Sequence, residues 1–302
     1  MTADAPTFRP ATAADAYACF VLFRRSLHDL MLRHGHLPAD GPPPDLDAAW
    51  RRHDALSAHL TANCAEWWLA EDAGGEPIGY ARTIDRDATI ELTEFFVAPD
   101  ARVSGVGRGL LERALAPGAG RHRMIIATTD APAVALYLRF GVAHQTTGID
   151  VTGVPRAVAL PAGYEAEPAT ADDVLAIERE LLGHSRSPEV AFMLADRPAK
   201  LLRRDGRAAG YFFEPNAFGQ AGPVAALDPA DLPAALAGLE NAAHAAGLQA
   251  LDLTLPLAAT TAVRWLLGER RFRIDPFYCL FLADGPWAKL DRYLPFNPCL
   301  FL

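Results

Sequence analysis

Length, composition and charge exclude several classes of protein. The chain has 302 residues, of which 51% are hydrophobic, and it carries a net charge of −9 at pH 7. This length fits about two domains, and the acidic balance argues against general nucleic-acid binding. No apolar run reaches the roughly eighteen residues of a membrane-spanning helix, so we expect no membrane partner.

The first residues and the cysteines predict a cytoplasmic location. The segment from Met1 to Asp4 lacks the basic and apolar regions of a signal peptide. Four cysteines lie far apart in the chain, at Cys19, Cys64, Cys279 and Cys299. This spacing favours free thiols in a reducing compartment over a disulfide framework or a zinc site, so we predict no metal.

In the first half, the pattern predicts a mixed α/β domain. Thr7 to Pro10 is typical of a short strand, and Thr12 is the predicted N-cap of a helix that runs to His34. The proline-rich residues 37–44 separate it from a second predicted helix. The predicted elements that follow are helix 46–62, strands 66–70, 76–84, 88–97, 121–128 and 142–151, and helix 130–140. This order predicts an α/β fold with a mixed sheet and helices on both faces.

Residues 95–111 join the end of a strand to a glycine-bearing turn and the start of an amphipathic helix. The turn reads Arg102-x-x-Gly105-x-Gly107-x-Gly109. The first backbone N–H groups of a helix have no internal partner, and the helix dipole adds positive charge there. Glycine lets the backbone approach a phosphate closely. The stretch therefore fits an anion site, or simply a glycine-rich loop that leads into a helix.

A second segment lies downstream at residues 130–142. Asp130-Ala-Pro-Ala133 opens a helix that carries Leu136-Tyr137 and ends near Gly141. In this order and spacing, the two segments resemble the paired signatures of the GNAT superfamily of acyl-CoA N-acyltransferases, over roughly residues 7–150. The chain departs from the family pattern at Asp130, where Asn is usual, and at Val142, where Phe is usual.

The resemblance implies acetyl-CoA as the acyl donor. Its pyrophosphate would lie on the backbone N–H groups at the helix start, and its pantetheine arm would pair with the strand end. The implied cofactor-binding residues are Phe96, Val97, Arg102, Val103, Ser104, Gly105, Val106, Gly107, Arg108, Gly109, Asp130 and Tyr137. Arg102, Arg108 and Arg123 suit the remaining phosphate, whereas we interpret Arg113 and Arg121 as solvated surface residues.

Three residues are candidates for the proton transfers. Tyr137, with an ordinary pKa of about 10, is the predicted general acid for the departing thiolate. Glu94 lies on the strand beside the expected thioester and is the favoured general base, with Glu91 as the alternative. One of these carboxylates can instead order the strand or bind the amine as a counter-ion. Under strict alternation Glu94 shares a face with Phe96, and Glu91 lies on the opposite face.

The second half repeats landmarks of the first. Residues 9–15 are echoed by residues 167–173, and the Gly-Tyr pair at 79–80 is echoed by the pair at 210–211. We therefore predict two tandem GNAT-like domains of one ancestry. Each would be a mixed, mostly antiparallel sheet flanked by helices, and the domains would span residues 1–152 and 164–302.

The second copy lacks the chemistry of the first. At the place of the glycine turn it has Asp228-Pro229-Ala-Asp231, and at the place of Tyr137 it has Leu266. Acids at a helix start stabilise the helix and repel a phosphate. We therefore expect acyl-CoA only in the first domain, with the second domain packing against it and framing the substrate.

Together these features predict an acetyl-CoA-dependent N-acyltransferase that acetylates a primary amine of a small molecule by direct attack. We expect a monomer or homodimer with no nucleic-acid partner. Three alternatives remain: acyl transfer to a hydroxyl, a non-catalytic acyl-CoA-binding or regulatory module, and a protein-modifying enzyme. A pure binding module would need neither Tyr137 nor Glu94. A protein-modifying enzyme would need a long open groove, which the second domain disfavours.

Overall fold

Two units make up the fold, Met1–Val142 and Ala143–Leu302. The computed structural model describes residues 5–38, 40–43, 45–102, 105–116 and 122–296. Its helices are α1 (Ala16–Arg33), α2 (Leu46–Asn63), α3 (Val106–Ala114), α4 (Ala131–Arg139), α5 (Ala171–Leu182), α6 (Ser187–Asp196), α7 (Leu232–Ala245) and α8 (Thr260–Val263). Its strands are β1 (Thr7–Pro10), β2 (Glu66–Glu71), β3 (Pro77–Arg86), β4 (Thr89–Val97), β5 (His122–Thr128), β6 (Ala143–Gly153), β7 (Tyr164–Pro168), β8 (Ala199–Arg204), β9 (Arg207–Phe213), β10 (Val224–Ala226), β11 (Leu251–Pro256), β12 (Arg273–Ala283) and β13 (Tyr293–Leu294).

The first unit contains a mixed sheet in the order β1-β2-β3-β4-β5. Strands β1 to β4 pair antiparallel, and β4 pairs with β5 in parallel. Neighbouring residues of β3 point to opposite faces. Tyr80 packs into a cluster with Cys19 and Leu22 of α1. Gly79 lies beneath α3, where a Cβ would come within 3.0 Å of Val106. Helices α1 and α3 therefore cover opposite faces of this sheet.

The second unit contains two antiparallel arrangements of strands. One has β6 between β11 and β12, and the other runs β13-β10-β9-β8-β7. Strand β6 belongs to this unit because its partners are strands of the second half of the chain. The sequence pattern had placed residues 142–151 with the first domain.

The predicted helix starts recur in both units with the same local chemistry. The N–H of Thr12 donates to the Asp15 carboxylate at 2.8 Å, and the N–H of Thr170 donates to the Asp173 carboxylate at 2.9 Å. This reciprocal cap satisfies a backbone donor that the helix itself leaves open. In the first unit a short 3-10 turn over Ala13–Asp15 precedes α1, so the α-helix begins a few residues after the predicted cap.

Candidate functional site

A cleft opens where β4 and β5 separate. Their parallel pairing runs from Thr89 and His122 to Leu92 and Ile125, and ends there. The gap beyond holds a cavity of about 180 Å³. Its lining combines Ser26 and other residues of α1 with β4, β5, α3 and α4. The cleft therefore reaches side chains from both faces of the first unit's sheet.

A β-bulge at Thr93 shapes the β4 side of this cleft. Arg82 pairs with Glu94 while Thr83 pairs with Leu92, so Thr93 is an extra residue in β4. Its hydroxyl donates to the Arg82 carbonyl at 3.1 Å. A bulge bends its strand and increases the local twist, which accounts for the divergence of β4 from β5.

Beyond the bulge, β4 turns backbone polar groups towards the cleft. The N–H of Ala98 donates to the Ile78 carbonyl, which fixes the alternation of hydrogen-bonded pairs with β3. By that alternation the backbone N–H and C=O of Phe96 form hydrogen bonds with β3, whereas those of Phe95 and Val97 point away from β3. The Val97 carbonyl accepts a hydrogen bond from the Ser26 hydroxyl at 3.1 Å. The backbone suited to an added strand is therefore that of Phe95 and Val97, and Phe96 contributes its ring.

The anion loop has the backbone that its glycines require. Gly105 lies at φ +79°, in the left-handed region that favours glycine, and α3 begins at the next residue, Val106. At Gly107 a Cβ would come within 3.2 Å of the Phe95 ring. Two of the predicted loop residues, Val103 and Ser104, lie outside the described residues, as does Arg121.

Gly109, Arg108 and Arg113 contact other protein groups in α3 and β1. A Cβ on Gly109 would lie 2.3 Å from the Phe8 ring, so this glycine lets α3 pack on β1. The Arg113 guanidinium lies over the same Phe8 ring at 4.1 Å and donates to the Gly109 carbonyl. Arg108 is exposed and pairs with Glu112 one turn along α3 at 2.8 Å. The surface interpretation of Arg113 agrees with these contacts.

A second cavity, of about 490 Å³, lies between α3 and α4. It is lined by Arg108, Glu112, Arg123, Leu136, Arg139 and Phe140. Three guanidinium groups against one carboxylate make its rim basic within an acidic chain. Such a rim suits a phosphate group. Arg139 was missed at the sequence level, although it lies on the same predicted helix as Tyr137.

Tyr137 lies in the wall of the cleft. It is 5% exposed, and its ring meets Phe95 edge-on with 5.7 Å between centroids. Burial, and secondarily the charge of Asp130, raises the pKa of its hydroxyl above the ordinary value. Tyr137 is thus a buried, protonated hydroxyl at neutral pH.

The bulge brings both candidate bases to one face of the sheet. Cross-strand partners share a face, and Glu94 pairs with Arg82 while Glu91 pairs with Ile84, two residues farther along β3. Strict alternation had placed the two glutamates on opposite faces, and that interpretation was wrong for Glu91. Neither side chain is among the described residues that line the cleft, although their neighbour Thr93 is.

Glu94 is held by a tyrosine and an arginine. The Tyr80 hydroxyl donates to Glu94 Oε1 at 3.1 Å, and Arg82 Nε lies 3.3 Å from Glu94 Oε2. Burial raises the pKa of the Glu94 carboxyl, and the Arg82 charge and the Tyr80 hydrogen bond oppose that rise only in part. Arg82 itself is 1% exposed and stacks over Trp67 at 3.8 Å. The sequence signal for this buried pair was an arginine within the largely apolar residues 78–84.

The carboxylate of Asp130 forms an ion pair with another helix instead of a capping hydrogen bond with the start of α4. Asp130 is the N-cap residue of α4, and its carboxylate accepts from Arg33 of α1 at 2.9 Å. An aspartate provides the negative charge that this contact needs, which accounts for Asp in place of Asn. Arg102, the first residue of the glycine motif, donates to Asp29 at 2.7 Å.

At the corresponding position in the second unit, acids occupy the helix start. Asp228 accepts from the N–H of Ala230, and Asp231 accepts from the Tyr164 hydroxyl and from Arg204, each at 2.6 Å. Both aspartates lie just before α7 in the sequence. The site is thus already supplied with negative charge, as the sequence predicts.

The part of the chain that the structure describes contains neither a metal-binding cluster nor a membrane-spanning helix. Among the described residues, no three His, Cys, Asp or Glu side chains converge as they would around a metal ion. No helix in the described ranges is long and apolar enough to span a bilayer. Cys19, Cys64 and Cys279 are free thiols, and Cys299 lies outside the described residues.

Comparison with known proteins agrees with this geometry. The profile of the acetyltransferase (GNAT) family matches residues 29–142. A mycothiol acetyltransferase of Clavibacter sepedonicus is 35% identical over 213 aligned residues, which cover 61% of this chain and 67% of that protein. A solved structure from Pyrococcus horikoshii has a TM-score of 0.72 at 16% identity, covering 99% of this chain and 97% of the other. A tandem GNAT protein from the clavulanic acid biosynthesis pathway has a TM-score of 0.56 at 18% identity, covering 93% and 99%.

The chain therefore belongs to the GNAT acetyltransferase family. Its fold is the tandem GNAT fold, and it is an acyltransferase that depends on acetyl-CoA. The predictions of family, fold class, enzyme class and acyl donor are confirmed. The roles of individual site residues and the domain limits 1–152 and 164–302 stay predictions.

Proposed function

We propose that this enzyme transfers the acetyl group of acetyl-CoA to a primary amine of a small molecule by direct attack. The observation that carries the proposal is the cleft between β4 and β5. Its lining includes Gly107 near the start of α3 and Tyr137 of α4. A thioester held there would lie between a set of anion-binding N–H groups and a proton donor.

The donor would be bound by three parts of the first unit. Its pyrophosphate lies on the N–H groups at the start of α3, after Gly105, where the helix dipole favours negative charge. Its pantetheine arm pairs with the peptide groups of Phe95 and Val97. Its remaining phosphate lies at the basic rim of the second cavity, formed by Arg108, Arg123 and Arg139.

The reaction needs two proton transfers. The amine nitrogen attacks the thioester carbon, the new C–N bond forms, and the C–S bond breaks with its electron pair left on sulfur. Glu94, with Glu91 as the other candidate, would take the proton of the amine through water, because neither carboxylate is among the described residues that line the cleft. Tyr137 stays protonated because burial raises its pKa. Its hydroxyl would therefore be in the donor form, would stabilise the developing thiolate by a hydrogen bond, and is the proposed general acid.

The acceptor class rests on the relatives. The Clavibacter protein is named for mycothiol, a small molecule, which supports a small-molecule acceptor here. We extend the proposal to an acceptor amine related to mycothiol. A first domain over residues 1–152 would carry the reaction. A second domain over residues 164–302 would bind no acyl-CoA. We further propose a cytoplasmic monomer or homodimer.

Calorimetric titration with acetyl-CoA tests the donor site, and the turnover rate of the same variants tests the chemistry. Gly105→Glu places a carboxylate where the pyrophosphate should lie, and we expect it to abolish micromolar binding while circular dichroism shows an intact fold. Tyr137→Phe should keep binding within about twofold and lower turnover by about a hundredfold or more, as expected on loss of a general acid. A panel of amines and matched alcohols then identifies the acceptor.

Each outcome has a definite meaning. Binding that survives in Gly105→Glu would move the donor site away from α3. Turnover that survives in Tyr137→Phe would remove this residue from the chemistry. Acetylation of the alcohols but not of the amines would overturn the amine assignment.

A further inference from the structure

A chain of ion pairs joins the two strands that border the cleft. Arg102 follows β4, and its Nη1 donates to Asp29 Oδ2 at 2.7 Å. Arg33 Nε donates to the same oxygen at 2.9 Å. Arg33 Nη2 then donates to Oδ1 of Asp130 at 2.9 Å, in the segment after β5. The chain thus runs from the end of β4, across α1, to the start of α4.

This series of ion pairs lies at the cleft, beyond the end of the ladder that joins β4 to β5. The ladder between β4 and β5 ends at Leu92 and Ile125, so beyond it the ladder no longer joins these two strands to each other. Arg33, Arg102 and Asp130 all line the cleft. The distance between Arg102 after β4 and Asp130 after β5 is therefore linked to the width of the cleft.

Asp29 is the central member of the chain. Two guanidinium groups share its Oδ2, and like charges brought together without it would repel. Burial opposes ionisation of Asp29, but hydrogen bonds from Arg33 and Arg102 outweigh burial and hold the pKa of the carboxyl below its ordinary value. Asp29 is thus ionised at neutral pH and keeps both arginines in place.

We propose that Asp29 is a positioning residue for acetyl-CoA. It would hold the guanidinium groups of Arg102 and Arg33 at the cleft, where they receive the anionic part of the donor, and it would fix the distance between the two strand ends. Asp29 itself would not touch the reacting atoms. The inference rests on the proposed donor site at the start of α3.

A purely electrostatic role of Asp29 predicts the opposite change in affinity for acetyl-CoA. A carboxylate near an anion site repels the anion, so neutralising Asp29 could tighten binding through charge alone. Positioning predicts weaker binding instead. The direction of the change therefore decides between the two.

The test measures acetyl-CoA binding by calorimetry and steady-state kinetics in Asp29→Asn and Asp29→Glu. We expect Asp29→Asn to raise both Kd and KM for acetyl-CoA about three- to tenfold, the scale of one or two partly exposed ion pairs. The kcat at saturation should be unchanged, and Asp29→Glu should recover part of the loss. In an Arg102→Gln background the effect of Asp29→Asn should shrink, because Asp29 acts through that arginine.

Glu71→Gln is the matched control. It removes an acid of the same charge that pairs with Arg9 at 2.8 Å on the edge of the sheet, outside both cavities. We expect no more than a twofold change in Kd for acetyl-CoA. A uniform tightening in Asp29→Asn and Glu71→Gln would show that net charge alone acts.

The two proposals can fail separately. Gly105→Glu that abolishes binding, together with Asp29→Asn that leaves it unchanged or tighter, overturns only the positioning role. An undiminished effect of Asp29→Asn in the Arg102→Gln background does the same. Binding that persists in Gly105→Glu overturns the donor site and the positioning role with it.

Discussion

At the scale of single residues, the bulge at Thr93 decides which carboxylates lie together. Without it, Glu91 would lie on the face opposite Glu94. With it, both acids lie on the face that carries Arg82 and Tyr80. Burial raises the pKa of Glu94, and Arg82 opposes that rise only in part, so the carboxyl is a stronger base than a solvated glutamate.

The pH dependence of kcat follows from this balance. We expect an acidic limb whose midpoint lies above the ordinary glutamate pKa, since turnover requires ionised Glu94. Arg82→Gln should move the midpoint upward, because the cation that favours the ionised form is lost. Glu94→Gln should remove the limb and lower kcat about a hundredfold or more. The measurement is a pH–rate profile of each variant with one amine.

The matched comparison is Glu91→Gln. The ionisation of the amine is common to all variants, so only differences between profiles report on the enzyme. A limb that disappears in Glu91→Gln and persists in Glu94→Gln would make Glu91 the base.

At the scale of elements, α3 carries two kinds of glycine. Gly105 adopts a positive φ at the helix start, and Gly109 allows Phe8 of β1 to reach the helix. The first serves the turn of the anion loop and the second serves packing. A run of alternating glycines in the sequence does not separate these two uses.

Replacing Gly109 should test the packing role. A Cβ there would lie 2.3 Å from the Phe8 ring, so we expect Gly109→Ala to lower the free energy of unfolding by about 1–3 kcal/mol. Adding Phe8→Leu should recover part of the loss, because a smaller side chain makes room. Urea unfolding followed by circular dichroism measures both effects.

Gly268→Ala is the control for this experiment, since a Cβ there meets nothing within 4 Å. It should be neutral or slightly stabilising. Normal stability in Gly109→Ala combined with weaker acetyl-CoA binding would contradict the packing role and return Gly109 to the donor site.

At the scale of the whole molecule, the repeated tyrosines Tyr80 and Tyr211 donate to carboxylates of different elements, a strand in the first unit and a helix in the second. In the first unit, Tyr80 donates to Glu94 beside Arg82. In the second, Tyr211 and Arg186 both bond to Glu178, with Arg186 Nε 2.8 Å from the carboxylate. Glu178 and Arg186 are almost fully buried. The second unit thus has an enclosed ion pair and has acids at the start of α7, where the first unit has its glycine turn.

Hydrogen exchange measured by mass spectrometry should reveal the difference. We expect saturating acetyl-CoA to slow exchange in residues 93–98, 105–110 and 131–139, which border the cleft, and to leave residues 228–245 unchanged. Backbone N–H groups at the start of α3 can receive the pyrophosphate, whereas Asp228 and Asp231 repel it. Protection of residues 228–245 would contradict a single donor site. Gly105→Glu should show protection in neither unit.

The sequence by itself determined the order of strands and helices in the first half of the chain, the repeated landmarks, the Arg102-x-x-Gly105-x-Gly107 turn and the placement of Tyr137 on a helix. These depend on local periodicity, capping and turn chemistry, which neighbouring residues carry. Only the tertiary structure decided the bulge at Thr93, since a bulge exists only relative to a partner strand. It likewise decided the pairing of β6 and the ion pair of Asp29 with Arg102, because each depends on residues far apart in sequence that folding brings together.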